Sequence, residues 1–230
     1  MRIVIAGGTG VIGRRLVPEL LAAGHGVTGV ARTDGAAAWL PSVGADPVVV
    51  DVLDRARLVE AVRAARPDAV VHQLTDLSAR SSAANAALRV NGTRNLVDAA
   101  LAAGVRRVVA QSIAFIYAPG RKPYKEGDPL DSSEAQRVTI AGVVALEDAV
   151  LHTPGIAGVV LRYGRLYGSG TWFDKPGGPG PLTCGAAAQA AVLALSRGAP
   201  GVYNVAEDDG EFSIDKARRE LGFDPAFRVP

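Results

Sequence analysis

The spacing of Gly7, Gly10 and Gly13 constrains this chain more than any other feature of it. The residues before them, 2–6, read as a short buried strand. After them Val11, Ile12, Leu16, Leu20 and Leu21 recur at helical period over 11–23. A chain that passes from strand to helix through glycines can bring its backbone close to an anion. The helix start then presents free N–H groups and partial positive charge. In a strand–turn–helix setting this is the arrangement that holds the pyrophosphate of a dinucleotide. Gly7, Gly10, Val11, Ile12 and Gly13 are therefore the first candidate cofactor contacts.

The rest of the chain repeats the strand–helix rhythm. Strands are expected over 27–31, 46–51, 69–73, 105–111, 156–163 and 201–206, and helices over 53–65, 81–103, 134–152, 185–197 and 213–221. Pro18 conflicts with its own helix and must be tolerated by packing or bend it. Alternation of this kind implies right-handed crossovers, so the fold class is α/β: a Rossmann-type, doubly wound parallel sheet with strand order 3-2-1-4-5-6. Ligands belong at the carboxyl ends of its strands. Residues 164–181, rich in glycine and proline, read as an irregular lid or binding loop. The expected division is a dinucleotide-binding domain over 1–163 and a short, substrate-binding C-terminal region over 164–230, packed on the same core.

Composition narrows the rest. A hydrophobic content of 48% over 230 residues supplies a sizeable core, and a formal charge of +2 leaves no electrostatic footprint for nucleic acid. The single cysteine, Cys184, excludes an internal disulfide. No His, Cys and acid cluster has metal-ligand spacing, so no metal is expected. Charged residues interrupt every candidate spanning segment, and the start reads as a core strand rather than a signal peptide. The expectation is a cytoplasmic protein with a small-molecule partner and neither nucleic acid nor membrane.

Longer motifs carry a resemblance. They are Gly7-Gly8-Thr9-Gly10-Val11-Ile12-Gly13, Asp51-Val52, Val70-Val71-His72-Gln73-Leu74, Gly92-Thr93-Arg94-Asn95-Leu96, the stretch from Leu161 to Gly168, and that from Lys216 to Gly222. Together they resemble the extended short-chain dehydrogenases/reductases, the NAD-dependent epimerase/dehydratase family. The resemblance implies that Asp51 and Val52 contact the adenine and that His72, Gln73 and Leu74 lie under the cofactor. It also implies a homodimer formed through the helices over 81–103 and 134–152, where Ala141, Gly142, Ala145 and Ala149 would let helices approach closely.

The departures matter more than the matches. The family uses a tyrosine with a lysine four residues on, one helical turn apart, to move a proton to or from the substrate oxygen. Four residues after Tyr117, Tyr124, Tyr163, Tyr167 and Tyr203 stand Arg121, Asp128, Tyr167, Thr171 and Glu207, so the pair is absent. Aligned on Glu147, its positions fall at Thr139 and Val143. The family's asparagine three residues before Gly92 is Arg89. Ser112, Tyr117 and Thr139 are the candidate catalytic groups. Arg32, 19 residues after Gly13, suits a 2′-phosphate and favours NADP(H), with NAD(H) open if Asp34 takes the ribose instead. Arg14 is a second phosphate candidate. The expected function is an NAD(P)-dependent oxidoreductase or epimerase/dehydratase-like enzyme acting on a small carbonyl, alcohol or sugar-derived substrate, with a nonstandard proton donor. The alternatives are a noncatalytic NADP(H)-binding module that senses redox state, and a nonredox isomerase or lyase on the same fold.

Overall fold

The structure is a computed structural model describing residues 1–75 and 82–228. Its first strand, β1 (Arg2–Ala6), leads through the glycine turn into α1 (Gly13–Ala22). There follow β2 (Gly26–Ala31), the short helices α2 (Asp34–Ala37) and α3 (Trp39–Ser42), β3 (Asp46–Val49), α4 (Arg55–Ala65) and β4 (Ala69–His72). Beyond β4 come α5 (Ser82–Ala87), a π turn (Leu88–Gly92), α6 (Thr93–Ala102), β5 (Arg107–Ile113) and α7 (Arg137–Leu151). The last elements are β6 (Ala157–Tyr163), β7 (Arg165–Tyr167), β8 (Pro181–Thr183), α8 (Cys184–Ala194), β9 (Gly201–Val205) and a second π turn (Ala217–Leu221), which lies within the helix expected over 213–221.

The main sheet runs β3-β2-β1-β4-β5-β6-β9 and is parallel throughout. This is the expected 3-2-1-4-5-6 order with β9 added beside β6. Alternation along β1 sends Ile3 and Ile5 to one face and Val4 and Ala6 to the other. The first pair packs with Leu16 and Leu20 of α1 and with the alanines of α8, and the second with Leu58, Leu96 and Leu146 of α4, α6 and α7. Both faces are dry, as a parallel sheet requires.

Several local expectations shift. Pro18 does sit inside α1, but on its exposed side, where water can meet the carbonyl left without an amide partner, while Leu16, Val17 and Leu20 hold the buried face. The single helix expected over 81–103 is interrupted by the π turn, which widens the backbone and ends at Gly92, packed against Val52 and Leu74. The helix over 134–152 opens as a 3-10 turn (Glu134–Gln136) before α7. The stretch over 164–181 is not wholly irregular, because β7 and β8 pair in parallel at its two ends. Thr183 then caps α8 by accepting the Ala186 N–H at 3.0 Å. None of the described helices is long and apolar enough to cross a membrane.

Candidate functional site

The glycine turn sits at the carboxyl edge of β1, beside β4 and the end of β2. Gly7 has φ +89°, and a Cβ on it would stand 2.3 Å from the Gln73 carbonyl oxygen. A Cβ on Gly13 would stand 2.4 Å from the carbonyl oxygens of both Gly7 and Gly8. Gly10 N–H donates to the Gly7 carbonyl at 3.0 Å and closes the turn. These glycines are thus demanded by backbone-on-backbone packing. Arg15 spans from α1 to the Ser169 carbonyl at 2.9 Å, which ties the 168–173 segment over the turn.

A cleft of about 470 Å³ runs from this turn along the strand ends. Gly7, Gly10, Val11, Arg32, Asp51, Val52, Gln73 and Leu74 all line it. Ile12, Gly13 and His72 do not, and support it from behind: Ile12 faces the core and Gly13 packs on the turn. Arg14 lies away from the cleft, its guanidinium 4.7 Å above the Trp39 ring. Asp51 accepts the Leu53 N–H at 2.9 Å, and Asn95 donates to the Val52 carbonyl at 2.9 Å, so the 51–53 turn is held from two sides. Gln73 is 6% exposed, and its Oε1 has no hydrogen-bond partner among the described residues. A buried acceptor left open at the floor of a cleft is costly unless a ligand donates to it. The hydroxyls of a dinucleotide supply such donors, so the residues present fit that group.

His72 is buried on the floor side. Leu74 N–H points at Nδ1 at 3.4 Å, which leaves the ring proton on Nε2, facing Thr93 Oγ1 at 2.8 Å. Burial pushes its pKa down to about 4, aided by the nearby Arg89 charge. This histidine is neutral near pH 7 and positions its neighbours.

A second cavity of about 260 Å³ adjoins the cleft, the two sharing Thr75. Its walls include Arg89, Gln111, Phe115, Tyr163, Arg165 and Trp172. Among the described residues, every side-chain hydroxyl on its wall already donates within the protein. Thr75 donates to the Leu74 carbonyl at 2.9 Å, Ser112 to Glu147 Oε1 at 2.8 Å, Tyr163 to the Ala187 carbonyl at 2.9 Å, and Thr171 to the Gly168 and Phe173 carbonyls at 2.8 Å. Burial also raises the Tyr163 phenol well above its usual value.

Of the candidate catalytic groups, Ser112 touches this cavity with its proton engaged, and Thr139 lies half-buried on α7 outside it. Tyr117 faces a separate hollow. Its hydroxyl donates to Asn204 Oδ1 at 2.6 Å and accepts from Arg162 at 2.9 Å, and burial raises its pKa despite the Arg162 charge. Ser112 and Tyr117 are joined through a buried network centred on Glu147 and Arg162. The guanidinium donates to both carboxylate oxygens, at 2.9 and 2.7 Å. Burial opposes the Arg162 charge, but Glu147 outweighs it and holds the group above its usual value. Sequence reasoning missed this network. Its signal was Glu147, an acid four residues after Val143 and three before Val150 on an apolar helical face.

A family model described as the NAD dependent epimerase/dehydratase family matches residues 3–183. The chain is 44% identical over 187 residues to a 3-diazoavenalumate denitrifying reductase of a Streptomyces species, an alignment covering 77% of this chain and 60% of that protein. It is 31% identical over 176 residues to the 4-hydroxy-2-methyl-3-oxo-4-farnesyl-3,4-dihydroquinoline-1-oxide ketoreductase of Stigmatella aurantiaca, covering 74% and 51%. The chain therefore spans between half and three-fifths of these relatives' length. Among solved structures, UDP-glucose 4-epimerase from Thermotoga maritima superposes with a TM-score of 0.82 at 19% identity, covering 99% of this chain and 94% of that one. The Bordetella bronchiseptica enzyme WbmG, in complex with NAD, gives 0.77 at 22% identity, covering 100% and 90%. These two likenesses are of fold.

Proposed function

Because this chain belongs to the NAD-dependent epimerase/dehydratase family, we propose that it is a nicotinamide-dependent reductase whose substrate accepts hydride without taking a proton from the protein. The observation that carries this reading is the engagement, among the described residues, of every hydroxyl on the second cavity's wall. Reduction of a carbonyl leaves an alkoxide that must be protonated. A diazonium carbon asks for nothing of the kind. Bound in the cleft, a reduced nicotinamide would supply a hydride. The acceptor's carbon–nitrogen bond breaks, a carbon–hydrogen bond forms, and dinitrogen leaves with the electron pair of the broken bond. Charge balances with no proton on either side. The name of the Streptomyces relative, a denitrifying reductase of a diazo compound, supports the same acceptor class.

In this reading the chain's own residues orient and enclose. The Gly7–Gly13 turn holds the pyrophosphate, the 51–53 turn the adenine side, and Gln73 a hydroxyl. Arg32, at the cleft's edge, gives the cofactor preference: NADP(H) over NAD(H), through charge-assisted contacts to a 2′-phosphate.

The test uses 4-carboxybenzenediazonium with NADPH carrying deuterium at C4, measured against the enzyme-free rate. Enzyme-dependent NADPH oxidation should match dinitrogen release one for one, with deuterium at the vacated carbon. Aromatic aldehydes and ketones should turn over about 10²–10⁴-fold more slowly, the usual contribution of general acid catalysis. Carbonyls reduced as fast as the diazonium would overturn the reading. The same assay with Arg32→Ala should lose about 10- to 100-fold of the preference for NADPH over NADH.

A noncatalytic NADP(H)-binding module is the second reading, favoured by the missing tyrosine–lysine pair. It gains the ground if the cofactor binds and neither acceptor class is turned over. For assembly we read a homodimer, supported by the exposed valines Val138 and Val144 on α7 and by exposed Leu101 on α6. Light scattering at micromolar concentration should give twice the chain mass.

A further inference from the structure

We propose that Arg89 is the specificity determinant of the second cavity and that the substrate is a small aromatic anion whose carboxylate it binds. The inference rests on reading that cavity as the substrate side of the cleft. Arg89 stands on the π turn, where its aliphatic stem passes close over Gly142 of α7: a Cβ there would lie 3.5 Å from Arg89 Cδ. Arg89 lines the cavity together with Arg165, and among the described residues no aspartate or glutamate lines it with them. Among the described residues no carboxylate forms an ion pair with Arg89. The contrast with Arg162 is direct, since that more deeply buried guanidinium is matched by both carboxylate oxygens of Glu147.

A partly buried cation without a counter-ion is costly on its own. Burial accordingly draws the Arg89 pKa below its usual value, and its charge is felt by His72 at the floor of the cleft. A ligand that brings a carboxylate converts that cost into a charge-assisted, forked contact. The remaining walls say what the carboxylate is attached to. Phe115, Tyr163, Trp172 and Phe173 line it, and the Arg165 guanidinium already stacks 5.1 Å from the Phe115 ring centroid. Aromatic walls favour a planar, unsaturated body. At about 260 Å³ the cavity is below the ~300–1,000 Å³ range of drug-sized sites, which fits one ring and a short chain.

Binding of unreactive probes tests this without requiring turnover. With NADP(H) present, 4-hydroxycinnamate and its neutral amide are titrated calorimetrically into the protein. The carboxylate should bind about tenfold or more tightly than the amide. Arg89→Gln should bring the two to equal affinity, and Arg89→Lys should keep part of the preference as a point charge without the fork. Thermal melting establishes that each variant is folded, and the lysine variant decides the matter if the glutamine variant is not. Equal affinity of both probes for the unaltered protein would overturn the proposal, as would an undiminished preference in Arg89→Gln. The reductase reading fails separately: a protein that selects the carboxylate through Arg89 yet transfers no hydride would keep this inference and lose that one.

Discussion

Gly7→Ala should abolish dinucleotide binding. The added methyl would lie 2.3 Å from the Gln73 carbonyl oxygen, at a backbone φ of +89° that L-residues avoid at a cost of about 1–2 kcal/mol. Neither side of that contact can give way easily. Gln73 N–H is bonded to the Ala6 carbonyl at 2.8 Å, so the end of β4 is pinned to β1. Relief requires the turn to swing outward, which moves the N–H groups away from the pyrophosphate they would hold. Gly24→Ala is the matching control. It has φ +80° but nothing within 4 Å of the added methyl, so it carries the backbone strain without the clash. Calorimetry with NADPH should show at least ~100-fold weaker binding for Gly7→Ala and unchanged binding for Gly24→Ala, the difference being about 2.7 kcal/mol. Retention of near-native affinity in Gly7→Ala would mean the cofactor does not approach this turn.

Glu147→Gln should cost more stability than any single surface change. Its carboxylate and Arg162 are 9% and 5% exposed at the side chain. Removing one partner of a buried pair leaves an uncompensated charge, at about 3–5 kcal/mol. For a chain of this size that corresponds to a Tm lower by roughly 6–20 °C. The loss spreads along the network: Ser112 keeps only a weaker acceptor, and the guanidinium bonded to Tyr117 is no longer oriented by a charge. Glu147→Met combined with Arg162→Met should be less destabilised than the two single changes added together, because the pair is removed whole. A Tm shift under about 3 °C in Glu147→Gln would show that the pair is solvated in solution.

Much of the architecture was legible because it follows from local pattern. Residues 3–6 are apolar and followed by glycine, 11–23 repeat at helical period, and each later strand is bounded by glycine, proline or charge. The strand order then follows from the handedness of the crossovers. The cleft residues at the carboxyl edge were legible for the same reason, since Gly7, Arg32, Asp51 and Gln73 all fall just after strands. The π turn was not, because one extra residue in a helical turn leaves the apolar periodicity nearly intact. Neither was the pairing of β7 with β8, whose three-residue strands are too short to show a period.

The division at the site is of another kind. The sequence by itself determined that a glycine turn joins the first strand to a helix, that the tyrosine–lysine pair is missing, and that an arginine stands at position 89. These are statements about residue type and spacing. Only the tertiary structure decided what the remaining polar groups are free to do. Ser112 and Tyr117 offer the same hydroxyls on paper, yet one proton is held by Glu147, 35 residues away, and the other by Asn204, 87 residues away. Arg162 and Arg89 are the same side chain, but one is neutralised by a buried carboxylate and the other lines an aromatic cavity with no carboxylate partner among the described residues. A proton's availability and a charge's compensation depend on which groups share the same low-dielectric volume. Folding brings those groups together from distant parts of the chain, so no local pattern encodes them.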